Sequence, residues 1–145
     1  MIKLNNNLQL REVNRNDWKF ILDLRNRFYK DNFIEQKKAI EIKEHEEYME
    51  KQNSNPDFHQ WIAFNESEDV GYVRILDGDV NIMVNEIHHS KGIGTIMLEL
   101  LEKKAKELGI QKLRAKVVTE NESSKRIFLK NKYKLKMYFL EKDVK

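Results

Sequence analysis

The chain has 145 residues, 40% hydrophobic and 35% charged, with a formal net charge of +3, which predicts one domain whose core is large enough to fold without staples. Residues 31–69 carry a balance of −7 and residues 101–145 a balance of +8, so the later part is suited to face an anion, unless these charges only solvate helix faces. Having no cysteine, the chain can hold no disulfide, thiolate zinc site or cysteine nucleophile, and no apolar run approaches the roughly 20 residues of a membrane span.

Met1 to Asn7 do not read as a signal peptide, and a cytoplasmic protein is expected. Residues 8–14 alternate apolar and polar as a strand. Asn16 or Asp17 can cap a helix over 17–30, and an acidic amphipathic helix follows over 39–52. Residues 58–65, 70–76 and 80–85 read as strands, the last two joined at Asp77-Gly78-Asp79 by a turn glycine. Lys91-Gly92-Ile93-Gly94 opens a strongly periodic helix over roughly 93–108, which Gly109 ends. Residues 112–118 read as a strand, 121–131 as a short helix capped by Asn121 or Thr119, and 134–141 as a last strand. Trp18 and Trp61 read as core residues. The order β-α-α-β-β-β-α-β-α-β predicts an α/β (α+β mixed) fold, with a central mixed, mostly antiparallel sheet flanked by helices on both faces.

The unit 80–108 carries the strongest chemical signal. A glycine-containing loop that leads into a helix N-terminus presents several backbone N–H groups, and the helix dipole adds about half a positive charge there. The loop has neither the third glycine of a dinucleotide fingerprint nor the Gly-Lys-Ser/Thr of a P-loop. The alternative is a tight strand-to-helix turn. His45, His59, His88 and His89 form no HxxxH or HExxH pair, so no metal is expected.

The stretch Val84-Asn85-Glu86-Ile87-His88-His89-Ser90-Lys91-Gly92-Ile93-Gly94-Thr95 resembles the acetyl-CoA-binding signature of the GNAT N-acetyltransferases. Residues 121–133, Asn121-Glu122-Ser123-Ser124 through Phe128 to Lys132-Tyr133, resemble the later helix of the same family. The resemblance implies the family's fold and acetyl-CoA as cofactor. Ile82, Met83 and Val84 would lend backbone groups to the pantetheine arm, with the Val84 N–H directed at the thioester oxygen. His89 stands where Gln or Arg is usual, and the N–H groups of Ser90, Lys91, Gly92, Ile93, Gly94 and Thr95 would cradle the pyrophosphate. On this reading a side chain at Gly94 would fill the pyrophosphate's space. Asn121, Ser124, Phe128 and Lys130 would line the cofactor. Phe128 stands where the family often has a tyrosine that protonates the leaving thiolate, leaving Ser124 or water for that proton.

Leu24-Arg25-Asn26 and Ile42-x-x-His45-x-x-Tyr48 resemble the acceptor side of members that acetylate amino-sugar nucleotides, those of pseudaminic-acid-type pathways above all. Arg25, Asn26, His45 and Tyr48 would then meet the substrate, although Arg25 can equally pair with the acidic helix and His45 can be an ordinary histidine. His45 and Asp79 are the candidate bases, Asp79 having a turn role as its alternative. The expected reaction is direct attack of a small-molecule amine on the thioester in a ternary complex, by a monomer or homodimer. A protein N-terminus as acceptor, or a CoA-binding module without turnover, stays open. No nucleic-acid or membrane partner is expected, since interleaved exposed aromatics and a basic stripe are missing.

Overall fold

The computed structural model describes residues 7–32, 38–85 and 92–144. Strands β1 (Leu8–Glu12), β2 (Phe58–Asn65), β3 (Glu68–Leu76) and β4 (Asp79–Val84) form one antiparallel sheet in the order β1-β2-β3-β4. Helices α1 (Trp18–Asn32) and α2 (Ile42–Gln52) precede β2, and α3 (Ile93–Glu107) and α4 (Glu122–Lys130) follow β4. The expected α/β class, with a mostly antiparallel sheet, is the one adopted.

Turn chemistry sets the register. Asp77 and Gly78 have φ of 50° and 82°, the two positive values of a type I′ hairpin turn, whose twist matches that of the flanking strands. Leu76 therefore pairs with Asp79, Arg74 with Asn81, Tyr72 with Met83 and Gly71 with Val84. Gly71 is needed for a second reason: a Cβ there would lie 2.7 Å from the Met83 carbonyl oxygen and 3.1 Å from the Met97 side chain. Its absence lets β3, β4 and α3 close up.

Alternation along the strands sorts the core into two layers. Trp61, Ala63, Val73, Ile75 and Val80 face Ile93, Met97, Leu98 and Leu101 of α3 and Phe128 of α4. Ile62, Tyr72 and Met83 face Trp18, Ile21 and Leu24 of α1 and Met49 of α2. Helices thus cover both faces, and both tryptophans are buried as expected.

The entry to α1 differs from expectation. Asn14, not Asn16 or Asp17, is the cap of a 3-10 turn (Arg15–Asp17) that runs straight into the helix. Asn14 Oδ1 accepts the Asn16 N–H at 2.9 Å, and the Asp17 carboxylate accepts the Asn14 N–H at 2.8 Å. Asp17 also accepts two 2.8 Å bonds from the Arg11 guanidinium on β1, which reaches on to Asp69 on β3 at 3.2 Å. The Arg11 bond holds the buried Asp17 carboxyl below the usual carboxylate range.

Two expected strands are not formed. Residues 112–118 make a single parallel bridge to β4, between Arg114 and Asp79. Residues 134–141 pair with nothing among the described residues, and Leu135, Met137, Tyr138, Phe139 and Leu140 stand exposed. Both segments have strand-like residues, but alternation supplies a pleated face, not a partner for the edge.

Candidate active site

The unit 80–108 brings the edge of β4 to the start of α3. Val80 N–H donates to the Arg114 carbonyl at 2.7 Å, and Arg114 N–H donates to the Gly78 carbonyl at 2.8 Å. Beyond that stitch, β4 and residues 112–118 share no further bridge among the described residues. Asn85 N–H turns toward β3, donating to Val70 at 2.8 Å, so by strand alternation the N–H groups of Ile82 and Val84 face the other way, toward residues 112–118. A one-sided row of backbone groups therefore borders an opening between β4 and that segment.

Gly92, at φ 77°, caps α3 without any side-chain hydrogen bond, and no acidic residue occupies the first turn. The first helical N–H groups after Gly92 have no intrahelical acceptor, and the dipole favours an anion there. A Cβ on Gly92 would meet nothing within 4 Å. Gly94 is different. A Cβ there would lie 2.7 Å from Ile127 Cδ1 on α4, so the missing side chain lets α4 approach. His89, Ser90 and Lys91 lie outside the described residues; Ile93 is buried in the core, and Thr95 is half-buried.

Helix α4 braces this corner. Asn131 donates from Nδ2 to the Thr95 carbonyl at 3.2 Å. Asn121 caps α4, its Oδ1 accepting the Ser124 N–H at 3.1 Å, so this oxygen serves the helix itself. Ser124 is half-buried and Lys130 exposed. Phe128 is core: it is 6% exposed and meets Tyr133 edge to face at 4.9 Å between ring centroids. The buried Tyr133 hydroxyl has no hydrogen-bond partner among the described residues, and burial, with Glu102 adding to it, pushes its pKa up to about 12. Ile82 and Val84 are half-buried against the α3 layer, and Met83 is buried against α1.

On the opposite face stand Arg25 of α1 and His45 and Tyr48 of α2. Arg25 acts electrostatically on both His45 and Tyr72, and Tyr48 on Tyr72. The Tyr48 ring stands edge to face with Phe58 at 6.2 Å. Asn26 is not presented to this space. Its amide donates to the Ile40 carbonyl at 2.8 Å and accepts the Ile40 N–H at 2.7 Å, which engages both ends of the side chain in holding the approach to α2. His45 is 5% exposed, and its Nε2–H donates to the Trp18 carbonyl at 2.9 Å; only Nδ1 retains a lone pair. It also lines a groove of about 150 Å³ with Arg15, Asn16, Trp18, Lys19, Ile42 and Glu46, none of them from β4 or α3.

Asp79 does not join Val84. They occupy opposite ends of β4, about 17 Å apart at the rise of an antiparallel strand. Arg74 holds Asp79, at 3.5 Å to its carboxylate and 3.2 Å to its carbonyl.

A polar row escaped the sequence reading. Gln60, Arg74 and Asn81 are directly paired across β2, β3 and β4, and share the α1–α2 face with Tyr72, whose hydroxyl donates to Gln60 Oε1 at 2.8 Å. Burial pushes the Tyr72 pKa far above that of a free phenol, so the hydroxyl stays a donor. The sequence shows only one isolated polar residue at each of these positions, and the cross-strand register is what brings them together.

Burial lowers the His45 pKa, against the pull of the Trp18 bond, with Arg25 lowering it further. The unfolded chain then binds more protons as pH falls below about 6.5, and the fold loses stability across that range. His45→Gln is expected to flatten the slope of Tm between about pH 5 and 7. An unchanged slope in thermal melts would place the acid sensitivity elsewhere.

Comparison with known proteins agrees with this geometry. The acetyltransferase (GNAT) family model matches residues 18–133. Among solved structures, a domain from Methanocaldococcus jannaschii superimposes with a TM-score of 0.78 at 22% identity, over 88% of each chain. Spermidine N-acetyltransferase from Vibrio cholerae, solved with CoA and spermine, gives 0.78 at 20% identity, over 87% of this chain and 80% of that one. A Salmonella typhimurium protein solved with its cofactor acetyl-CoA gives 0.75 at 17% identity, over 91% and 82%.

The fold is that of a GNAT-type acyltransferase. The chain belongs to the acetyltransferase (GNAT) family, enzymes that use acetyl-CoA as acetyl donor. Among the described residues, no helix is long and apolar enough to cross a membrane, and no group of three His, Cys, Asp or Glu is placed to hold a metal.

Proposed function

We propose that this chain acetylates the primary amine of an amino-sugar nucleotide, by direct attack in a ternary complex. The observation that carries the reading is the junction of a one-sided β4 edge with a helix N-terminus that lacks both a side-chain cap and an acidic first turn. Acetyl-CoA supplies the acyl group as a thioester. The residues present suit it: Ile82 and Val84 face the opening with their N–H groups, and the N–H groups after Gly92 suit a diphosphate. Val84 N–H would donate to the acyl oxygen as charge develops there, a contribution whose loss typically costs about 10²–10³ in rate. Holding the two reactants in line contributes more, roughly 7–11 kcal/mol in well-oriented systems.

The acceptor class rests on charge. The acidic residues of α2 lie on its exposed positions, whereas Arg25 on α1 and Arg74 on β3 are half-buried. An anionic acceptor meets these cations. The exposed acids of α2 favour a second reading, a cationic amine such as a polyamine held from outside.

Acetyl-CoA at 100 times its Kd is expected to stabilise the fold by about 2.7 kcal/mol, a rise in Tm of roughly 5–10 °C. No shift at saturation would remove the cofactor site. In a turnover panel, nucleotide-linked amino sugars should be acetylated, and Arg25→Ala should raise the acceptor KM without weakening acetyl-CoA. Turnover of spermidine alone, indifferent to Arg25, would transfer the assignment to the second reading.

A further inference from the structure

We propose that residues 134–144 of one copy pair along residues 112–118 of a second copy, so that the chain forms an isologous dimer by reciprocal strand exchange. The two segments are complementary within one sequence, yet they do not meet within one chain. In 112–118, Leu113, Ala115, Lys116 and Val117 make no backbone hydrogen bond among the described residues. Only Arg114, at the β4 stitch, and the Val118 carbonyl are engaged. Leu113, Ala115 and Val117 pack on the α3 layer, so one face is settled and the outer edge is idle. Such an edge is a template for another strand.

The donor is equally idle. The chain is pinned where it leaves α4: Tyr133 N–H donates to the Phe128 carbonyl at 3.1 Å, and Lys132 takes φ 71°. From Lys134 onward no backbone hydrogen bond is made among the described residues. Met137, Tyr138, Phe139 and Leu140 are consecutive and 71–89% exposed, so neither face of the arm rests on its own body. Runs of this kind mark a surface that another molecule covers.

Area and charge both favour a second copy. Covering most of Leu135, Met137, Tyr138, Phe139 and Leu140 hides on the order of 600 Å² per arm. Two reciprocal arms exceed about 1,200 Å², the size at which stable interfaces begin. A twofold axis supplies both contacts at once, since donor and acceptor are present in every copy. Antiparallel approach sets Glu141 and Asp143 near Lys112, whereas parallel approach would set Lys134 and Lys136 there. The partner's arm would also back the segment that borders the β4 opening.

Light scattering on the full chain at micromolar concentration should give twice the chain mass. Met137→Asp with Phe139→Asp should halve that mass and leave far-UV circular dichroism unchanged. Because the chain has no cysteine, Lys116→Cys and Tyr138→Cys can be made as separate single variants. Mixed and oxidised, they should give a covalent dimer well above the yield of either alone. A monomeric parent protein would overturn the proposal. So would a Lys116→Cys, Tyr138→Cys double variant that closes its disulfide within one chain.

Discussion

Gly94→Glu is expected to lose acetyl-CoA binding and to destabilise the fold together. The first atom of any side chain there meets Ile127 Cδ1 at 2.7 Å; the end of the Ile127 side chain must shift, at a cost of about 1 kcal/mol, the low end of overpacking, before charge is counted. A carboxylate driven between α3 and α4 has no partner to offset its desolvation. It would also lie in the first turn of α3, where it competes with any diphosphate for the same N–H groups. Two readouts separate these effects. Gly94→Ala should lower the urea midpoint by the packing cost alone, and adding Ile127→Ala should recover part of it, since the two positions share one contact. Acetyl-CoA should still bind the Gly94→Ala, Ile127→Ala protein. If Gly94→Ala is neutral, the helix contact is not tight, and the glycine has another reason.

Asp17→Ala should be the most damaging change on the opposite side of the sheet, at about 2–3 kcal/mol. That is the usual cost of losing charge-assisted hydrogen bonds at a part-buried site, since Arg11 keeps Asp69 as a partner. The Asp17 side chain is only 8% exposed, against 32% for Arg11. Its removal strands the Arg11 guanidinium with Asp69 at 3.2 Å and uncaps the Asn14 N–H. Three elements meet at that carboxylate: β1, β3 and the entry to α1. Asp17→Asn should be milder, because the amide oxygen can still accept from Asn14. The pH dependence has a definite sign. The folded carboxyl titrates below the unfolded one, so its stabilisation is complete above about pH 4–5 and is lost as pH falls through the folded value. Chemical denaturation of both variants between pH 3 and 7 tests this; a parent protein whose stability shows no acid-side loss attributable to Asp17 would contradict the pairing.

The sequence revealed the architecture better than the division of labour within it. The hairpin at Asp77-Gly78, the stop at Gly109 and the cap at Asn121 were legible because local chemistry determines them. The α3 periodicity was legible because one face must be buried. Strands 112–118 and 134–141 were overread, since a suitable side-chain pattern cannot report whether an edge finds a partner. Asn26 and His45 show the other limit. An amide and an imidazole that could hold a substrate are as apt to join α1 to α2, and only the Ile40 and Trp18 contacts decide. Gly94 looked like room for a ligand because its neighbour across space, Ile127, is 33 positions away in the chain. The row Gln60–Arg74–Asn81 needed the cross-strand register before its members could be seen as neighbours.

The Arg114 stitch has a mechanical consequence. Its backbone bonds to Gly78 and Val80, and a further bond from its guanidinium to the Asp77 carbonyl, fix residues 112–118 to β4 at one point beside the hairpin turn. That point is a fulcrum, and Val84 lies about 17 Å along the arm from it. Pivoting residues 112–118 by about 5° displaces the segment by roughly 1.5 Å at the level of Val84, enough to turn a 2.9 Å hydrogen bond into a gap. The spacing at Val84 is therefore governed at the opposite end of the strand, so that a disturbance confined to the Asp77-Gly78 turn would be felt as a change of aperture at the proposed acyl site.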